Sequence, residues 1–350
     1  MKIAVDAMGG DLAPQEIVKG AVQAATSLGV EIALVGQPSE LEAVAREAGL
    51  PAPGVEIVAA SQKVEMTDHP SSVLRQKKDS SLALAAALVQ KGDAEALVSA
   101  GNTGATMAFS LFSFGRLPGV ERPAIAIPFP TTRGFCVLID GGANVEVKPR
   151  YLLQFAQMGS LYAQNVLGWS NPKVALLNIG FEPEKGTPTL QEAYKLLTAS
   201  QLNFVGNIES RDLPFGQAEV VVTDGFSGNL ILKLAEGLGI AIMDMLKAEI
   251  AGSGLDVKLG AYLARSAFRG LKTRISYEEY GGALLLGLNH PTVICHGSSR
   301  ARAIFNAIRV AKESLEQDVA GKIAALMQLE SQGVKNSYDH EAGSDHNRVG

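Results

Sequence analysis

Eleven residues, Leu97-Val98-Ser99-Ala100-Gly101-Asn102-Thr103-Gly104-Ala105-Thr106-Met107, constrain this chain more than any other stretch. The apolar run before Ser99 reads as a buried strand. Gly101 and Gly104 permit a tight turn or a close backbone approach, and Thr103 is placed to cap a following helix. A strand that feeds straight into a helix belongs to the β-α-β repeat of a parallel sheet. The first N–H groups of that helix lack intrahelical acceptors and lie at the positive end of its dipole, which suits a phosphate or an oxyanion. The pattern Ser/Thr-x-Gly-x-Ser/Thr-Gly recurs in Thr223-Asp224-Gly225-Phe226-Ser227-Gly228, after Val220-Val221-Val222 and before Asn229-Leu230-Ile231-Leu232. Two matched copies are more specific than one.

The remaining pattern extends the same architecture. Lys2-Ile3-Ala4-Val5 is a strand leaving through Asp6-Ala7-Met8-Gly9-Gly10-Asp11, with Pro14 in a first helical turn. Strands at 31–36 and 55–58 flank a helix for which Ser39 is the expected N-cap. Gly9 and Gly10 complete no dinucleotide fingerprint, and no nucleoside-triphosphate loop occurs anywhere. Asp6 and Asp11 fit a metal pair, or else order the loop and cap the helix. The polar stretch 61–80, with Met66, His69, Arg75, Lys77 and Lys78, fits either a loop beside a cleft or a solvated helix face. Pro128 and Pro130 are expected to end the strand beginning at Ala124 or to make it an edge strand. The next strand, 135–139, exits through Asp140-Gly141-Gly142-Ala143-Asn144-Val145, and the strand at 173–178 exits through a loop carrying Lys185 between glycines. Ligands of open α/β sheets bind outside the carboxyl ends of strands, so these loops should converge on one cleft.

The last third opens on a long helix from Asn229 to about Ala251, then a stretch in which Leu255, Leu259, Leu263, Ala267 and Leu271 recur every four residues. From Leu255 to Arg274 five basic residues, including Lys258, Arg265 and Arg269, face one acidic residue, in a chain of net charge −5. That reversal of sign suits a dimer interface, an anionic membrane surface or an acidic partner. Tyr280-Gly281-Gly282-Ala283 leads into a leucine run. Thr292-Val293-Ile294-Cys295 ends in His296-Gly297-Ser298-Ser299, where either serine would cap a helix running from about Arg300 to Leu329. The acidic balance and the lack of a basic arm argue against nucleic acid. Cys136 and Cys295 sit in apolar surroundings that suggest neither a disulfide nor zinc. No signal sequence and no apolar run of roughly 18 residues is present, which fits a cytoplasmic protein with at most peripheral membrane contact. We expect a single α/β/α catalytic domain over 1–330, with a helical extension at about 229–275, and a flexible polar tail at 331–350 despite His340 and His346.

Taken in order, Val5-Asp6-Ala7-Met8-Gly9-Gly10-Asp11, Ser99 to Gly104, Gly142 to Val145, Asn178-Ile179-Gly180 with Glu182 and Lys185-Gly186, Val222 to Asn229, Tyr280 to Ala283 and His296 to Ser299 resemble the phosphate acyltransferase family of bacterial phospholipid synthesis, the PlsX type. The resemblance runs from Met1 to about Lys322 and departs at Phe181, where a polar residue is expected and an aromatic would narrow the cleft, and at Gly141, where valine is usual. It implies a three-layer α/β/α fold with a mostly parallel sheet, akin to phosphotransacetylases and isocitrate dehydrogenases. It further implies a homodimer that transfers an acyl group from acyl carrier protein to inorganic phosphate, supplying acyl phosphate to a membrane glycerol-3-phosphate acyltransferase, with loose attachment to the membrane. Phosphate is already an anionic nucleophile and a thiolate leaves readily, so neither metal nor cofactor is demanded. On that reading phosphate lies against Gly101 to Gly104 and Gly225 to Gly228, aided by Asp6, Gly9, Gly10, Asp224, Ser227, Ser298 and Ser299. Lys185 compensates charge, Asn102, Asn144 or Asn229 serves the oxyanion, and His296 orients phosphate or protonates the sulfur. A coenzyme-A phosphotransacetylase, a dehydrogenase of related fold and a membrane scaffold are the competing readings.

Overall fold

In the computed structural model, which describes residues 1–49, 51–275 and 281–329, the apolar runs become strands of one eleven-stranded sheet. The chain begins β1 (Lys2–Asp6), α1 (Gln15–Leu28), β2 (Glu31–Gly36), α2 (Pro38–Glu47), β3 (Val55–Ala59), α3 (Pro70–Gln76), α4 (Ser81–Lys91), β4 (Ala96–Ser99) and α5 (Thr103–Phe114). It continues with β5 (Ala124–Thr131), β6 (Gly134–Ile139), α6 (Pro149–Asn165), β7 (Val174–Asn178), α7 (Pro188–Ala199), β8 (Phe204–Glu209) and β9 (Val220–Val222). The last elements are α8 (Gly225–Gly252), α9 (Leu255–Leu263), α10 (Arg265–Ile275), β10 (Ala283–Leu286), β11 (Thr292–Ile294) and α11 (Ala301–Glu316), with residues 319–329 also helical. Tyr280 and the tail after Ser331, with His340 and His346, lie outside the described residues.

The strand order is β3-β2-β1-β4-β11-β10-β5-β6-β9-β7-β8. Strands β3 to β11 of that order are mutually parallel, as are β6, β9, β7 and β8. Three antiparallel pairings, β11–β10, β10–β5 and β5–β6, join the groups, so the two parallel halves run in opposite directions. The sheet is mostly parallel, as expected, but its glycine loops do not leave from one common carboxyl end. Pro128 and Pro130 do not end β5, because they pair with Val137 and Phe135 of β6 while the β10 pairing stops at Ala126. A proline donates no ladder hydrogen bond and is tolerated on that unpaired side.

Period-2 alternation sorts the strands into two faces, as β6 illustrates: Val137 and Ile139 join the core under α1, α6, α7 and α11, whereas Cys136 and Leu138 face the opposite layer. That opposite layer is α4 and α5 over one half and the first turns of α8, with Ile231, Leu232 and Ala235, over the other. Three layers result. Beyond Ala235, α8 leaves Leu238, Ile240, Ile242 and Met245 exposed, and in α9 Leu255, Leu259 and Leu263 are exposed as well. Lys258, Arg265 and Arg269 share that exposure, and Arg265 stacks over the Tyr262 ring at 4.3 Å. Among the described residues no helix is long and apolar enough to cross a membrane.

Several helix ends differ from expectation. Pro14 is the N-cap of α1 rather than a residue of its first turn, Gln37 rather than Ser39 precedes α2 because Pro38 supplies its first residue, and the closing helix breaks at Asp318, whose φ is 47°. Helices α1 and α11 cross at Gly20, where a Cβ would lie 2.5 Å from the Ala301 carbonyl and 2.7 Å from Ile304 Cβ. Gly20→Val should therefore lower unfolding stability by about 1–3 kcal/mol through overpacking. Urea denaturation checks this, and an unchanged midpoint would refute the tight crossing.

Candidate active site

At the exit of β1 the Asp6 carboxylate is buried and accepts hydrogen bonds from Ser81 Oγ at 2.5 Å, Ser99 Oγ at 2.8 Å and the Met8 N–H at 3.3 Å. Burial pushes its pKa above the ordinary carboxylate range despite those donors. Ser99 Oγ in turn accepts from the Gly101 N–H at 3.1 Å. A Cβ on Gly9 would lie 2.5 Å from the Asp6 carboxylate and 2.7 Å from Gly101 N, so only glycine lets the two loops nest. Gly10, with φ of 106°, packs on the Gly297 carbonyl, which also accepts from Asp11 N–H at 2.8 Å. Asp6, Gly9 and Gly10 thus build the turn from beneath, and none of the three lines the cavity between α5 and α8.

The α5 turn above them is capped by Asn102, not Thr103: Asn102 Oδ1 accepts from Ala105 N–H at 2.9 Å. Its Nδ2 donates to the carbonyls of Met66 and Asp68 at 2.9 and 3.0 Å, so the whole amide is committed and unavailable to an oxyanion. Those bonds fold the polar stretch after Ser61 onto the turn, where Pro70 packs against Gly104. Lys77 pairs with Asp68 and holds its carboxyl below the usual range. The N–H groups of Thr103 and Gly104 remain at the start of a helix whose cap is uncharged, and helix geometry provides them no carbonyl.

The second copy repeats the support but not the opening. Asp140, fully buried, accepts from the N–H groups of Ile125, Gly142, Ala143 and Asn144 and from Asn144 Nδ2 at 2.7–3.2 Å. Burial again pushes its carboxyl up. A Cβ on Gly228 would collide with the Asp140 carbonyl. Gly225 N–H, however, donates to the Asn144 carbonyl at 2.7 Å, Ser227 N–H and Oγ both donate to Asp224, and Gly228 N–H donates to the Asp224 carbonyl. A carboxylate already occupies the positive end of α8 and the Gly225 N–H is bonded to the Asn144 carbonyl, so the turn of Asp224, Gly225, Ser227 and Gly228 is less open to an anion than that of α5. Asn144 spends both amide hydrogens, on the Pro123 carbonyl and on Asp140, and is likewise removed as an oxyanion donor. At α11 the N-cap is Arg300, not Ser298 or Ser299, and the Ala301 N–H is taken by the Glu16 carboxylate at 2.8 Å.

Between α5 and α8, over the face of β11, β10 and β5, lies a cavity of about 490 Å³. Thr103, Asp11, His296, Gly142 and Asn229, with Lys233 and Glu236 of α8, supply its polar lining, so turns from both antiparallel halves meet there. Ser298 N–H donates to His296 Nδ1 at 3.2 Å and Ser298 Oγ lies 2.8 Å from it. A backbone N–H only donates, so the proton of the neutral ring sits on Nε2. Lys185 is not in the lining; its ammonium is 4.0 Å from Glu182. Phe181 is half exposed and also off the lining. Lys233 and Glu236 do line the cavity and escaped the sequence reading, although their spacing of four and seven from Asn229 places all three on one helical face. Among the described residues no group of His, Cys, Asp and Glu could hold a metal ion.

Residues 1–322 match the family described as "Fatty acid synthesis protein". The chain belongs to this family. It is 52% identical over 324 residues to the phosphate acyltransferase of Heliobacterium modesticaldum, covering 92% of this chain and 96% of that one. At that similarity it is an acyltransferase enzyme. Its fold is that of phosphotransacetylases: the Streptococcus pyogenes enzyme superposes with a TM-score of 0.62 and EutD of Staphylococcus aureus with 0.59, each at 18% identity over 90% of this chain and 94% of theirs.

Cys295 lines the cavity, but burial pushes its thiol up to about 12. At neutral pH it is a thiol, not a nucleophile. Alkylation of Cys295 by iodoacetamide should therefore be slow near neutrality and rise about tenfold per pH unit as the thiolate fraction grows. Peptide mass spectrometry tracks it; rapid labelling at pH 7 would contradict this state.

Proposed function

We propose that this chain transfers a fatty acyl group from acyl carrier protein to inorganic phosphate by direct attack of phosphate on the thioester, yielding acyl phosphate for glycerol-3-phosphate acylation. The observation that carries the reading is the neutral α5 N-terminus opening at Thr103 into a cavity whose sheet wall of Ile125, Ile127, Phe129, Ala283 and Ile294 is apolar and whose polar groups are Asp11, Asn229, Lys233, Glu236 and His296. Phosphate binds the Thr103 and Gly104 N–H groups, with Lys233 as the counter-charge in place of Lys185. A phosphate oxygen forms the C–O bond, and the carbonyl oxygen becomes the oxyanion, which the Asn229 amide stabilises. The intermediate collapses with loss of the C–S bond. His296 Nε2–H hydrogen-bonds the departing sulfur, and the proton carried by the attacking phosphate neutralises the thiolate. No acyl-enzyme forms.

Release of free thiol from palmitoyl-acyl carrier protein, with and without phosphate, tests the reading. Release should depend on phosphate and give a hydroxylamine-sensitive product, and His296→Ala should slow it by about 100-fold or more. Phosphate-independent release, or faster turnover with the coenzyme A thioester, would reject it.

The same reading includes a homodimer attached peripherally to an anionic membrane, on the cytoplasmic side, near the acyltransferase that consumes the product. Its support is the exposed leucine row of α9 beside Lys258, Arg265 and Arg269. Leu259→Glu with Leu263→Glu should abolish sedimentation with anionic vesicles while thiol release in solution persists; unchanged sedimentation would remove α9 from membrane binding.

A further inference from the structure

We propose that the acyl chain lies along β5 from Ile127 to Pro130 and against Leu232 and Ala235 of α8, and that Ile127, seated over Gly141, sets the bore of this channel. The inference rests on the acyl-transfer reading above. Ile125, Ile127 and Phe129 project from β5 into the cavity by strand alternation, while Ala124 and Ala126 face the other core. Leu232 and Ala235 lie one turn apart on the facing helix and pack toward Phe129. The strip starts beside Gly141, Gly142 and Asn229, where the reacting carbonyl is placed, and it carries no charged side chain from Ile127 to Pro130. The β10 pairing of β5 stops at Ala126, so this strip lies where β5 is unpaired on one side. Apolar helix surface continues beyond Ala235 as exposed Leu238. A polymethylene chain is the ligand chemistry that such a wall recognises.

The bore is decided by one contact. A Cβ on Gly141 would collide with Ile127 Cδ1 and lie 2.6 Å from its Cγ1. Gly141 cannot retreat, because its N–H is bonded to the Ile125 carbonyl at 2.9 Å and its neighbour Asp140 is held by five donors. The flexible Ile127 side chain must therefore yield, and the cavity is the open space that it already borders. Glycine at this position keeps Ile127 folded back and the channel open.

The test is the ratio of kcat/KM for palmitoyl- to butyryl-acyl carrier protein, which is independent of the fraction of active enzyme. Gly141→Val should lower this ratio about 10-fold or more, the size of effect that a methylene mismatch produces in an apolar pocket. Adding Ile127→Ala should restore it, because the valine then takes the place that isoleucine leaves. Ala235→Trp, which fills the strip from the helix side, should lower the same ratio without touching the Gly141 loop. A ratio within about 3-fold of the parent in Gly141→Val and Ala235→Trp, or no recovery in the double variant, would overturn the assignment. Displacement of a fluorescent fatty acid by palmitate is measured in parallel. Loss of palmitate binding in Gly141→Val and Ala235→Trp supports the channel even if the parent transfers no acyl group, an outcome that would defeat the proposed reaction alone.

Discussion

Asp140 accepts five hydrogen bonds from groups on β5 and on its own exit loop while wholly shielded from solvent. Each donor it satisfies would otherwise be left dry at a cost of about 1–3 kcal/mol, so the loop has one low-energy course. Glycine is a consequence of that course: the backbone of α8 comes so close that Gly225 and Gly228 cannot carry a Cβ. Asp6 imposes the same constraint on β1, β4 and α4 through Gly9, Ser99 and Ser81. In both halves a buried carboxylate at one strand end supports a glycine turn at the end of its parallel neighbour, β4 beside β1 and β9 beside β6. The cavity is only as well formed as these two grips.

The halves then diverge in charge. An asparagine caps α5 and an aspartate caps α8, although both turns share one sequence pattern. Each cap side chain accepts from the third N–H of its helix, but the acidic cap places a negative charge at the positive end of α8, and the Gly225 N–H there is taken by the Asn144 carbonyl. A repeat in the fold therefore becomes one turn with a neutral cap and one with an acidic cap. The turn with the acidic cap still contributes through its helix, since α8 delivers Asn229, Lys233 and the apolar Leu232 and Ala235 to the same cavity. The three central antiparallel pairings make this meeting possible, because they place turns from opposite ends of the sheet over one face.

Much of this was legible in the residues. The strand-turn-helix alternation and the buried Cys295 emerge from local pattern, as does family membership from the ordered motifs, and Asn229 and His296, singled out in the sequence, both line the cavity. What failed was assignment of free donors. Asn102, Asn144 and Ser227 carry donors suited to an oxyanion or phosphate, but each is engaged with backbone or with a neighbour, and Asp224 is an acceptor that takes the Ser227 donors. Lys185 lies off the cavity lining, beside Glu182. Lys233 had a readable signal in its helical spacing from Asn229, obscured by its position in a run that reads as core.

The order of apolar runs and turn residues determined by itself which segments become strands and helices, because those choices depend on periodicity of two or 3.6 and on local capping. It also determined the chemical repertoire at the turns. Only the tertiary structure decided which of two matched turns stays open and which side chains border the cavity. It also decided that Ile127 and Gly141, fourteen residues apart in sequence, share one space. Such choices are contests between partners distant in the chain, and a hydrogen bond or a van der Waals volume is claimed by whichever group the fold brings nearest.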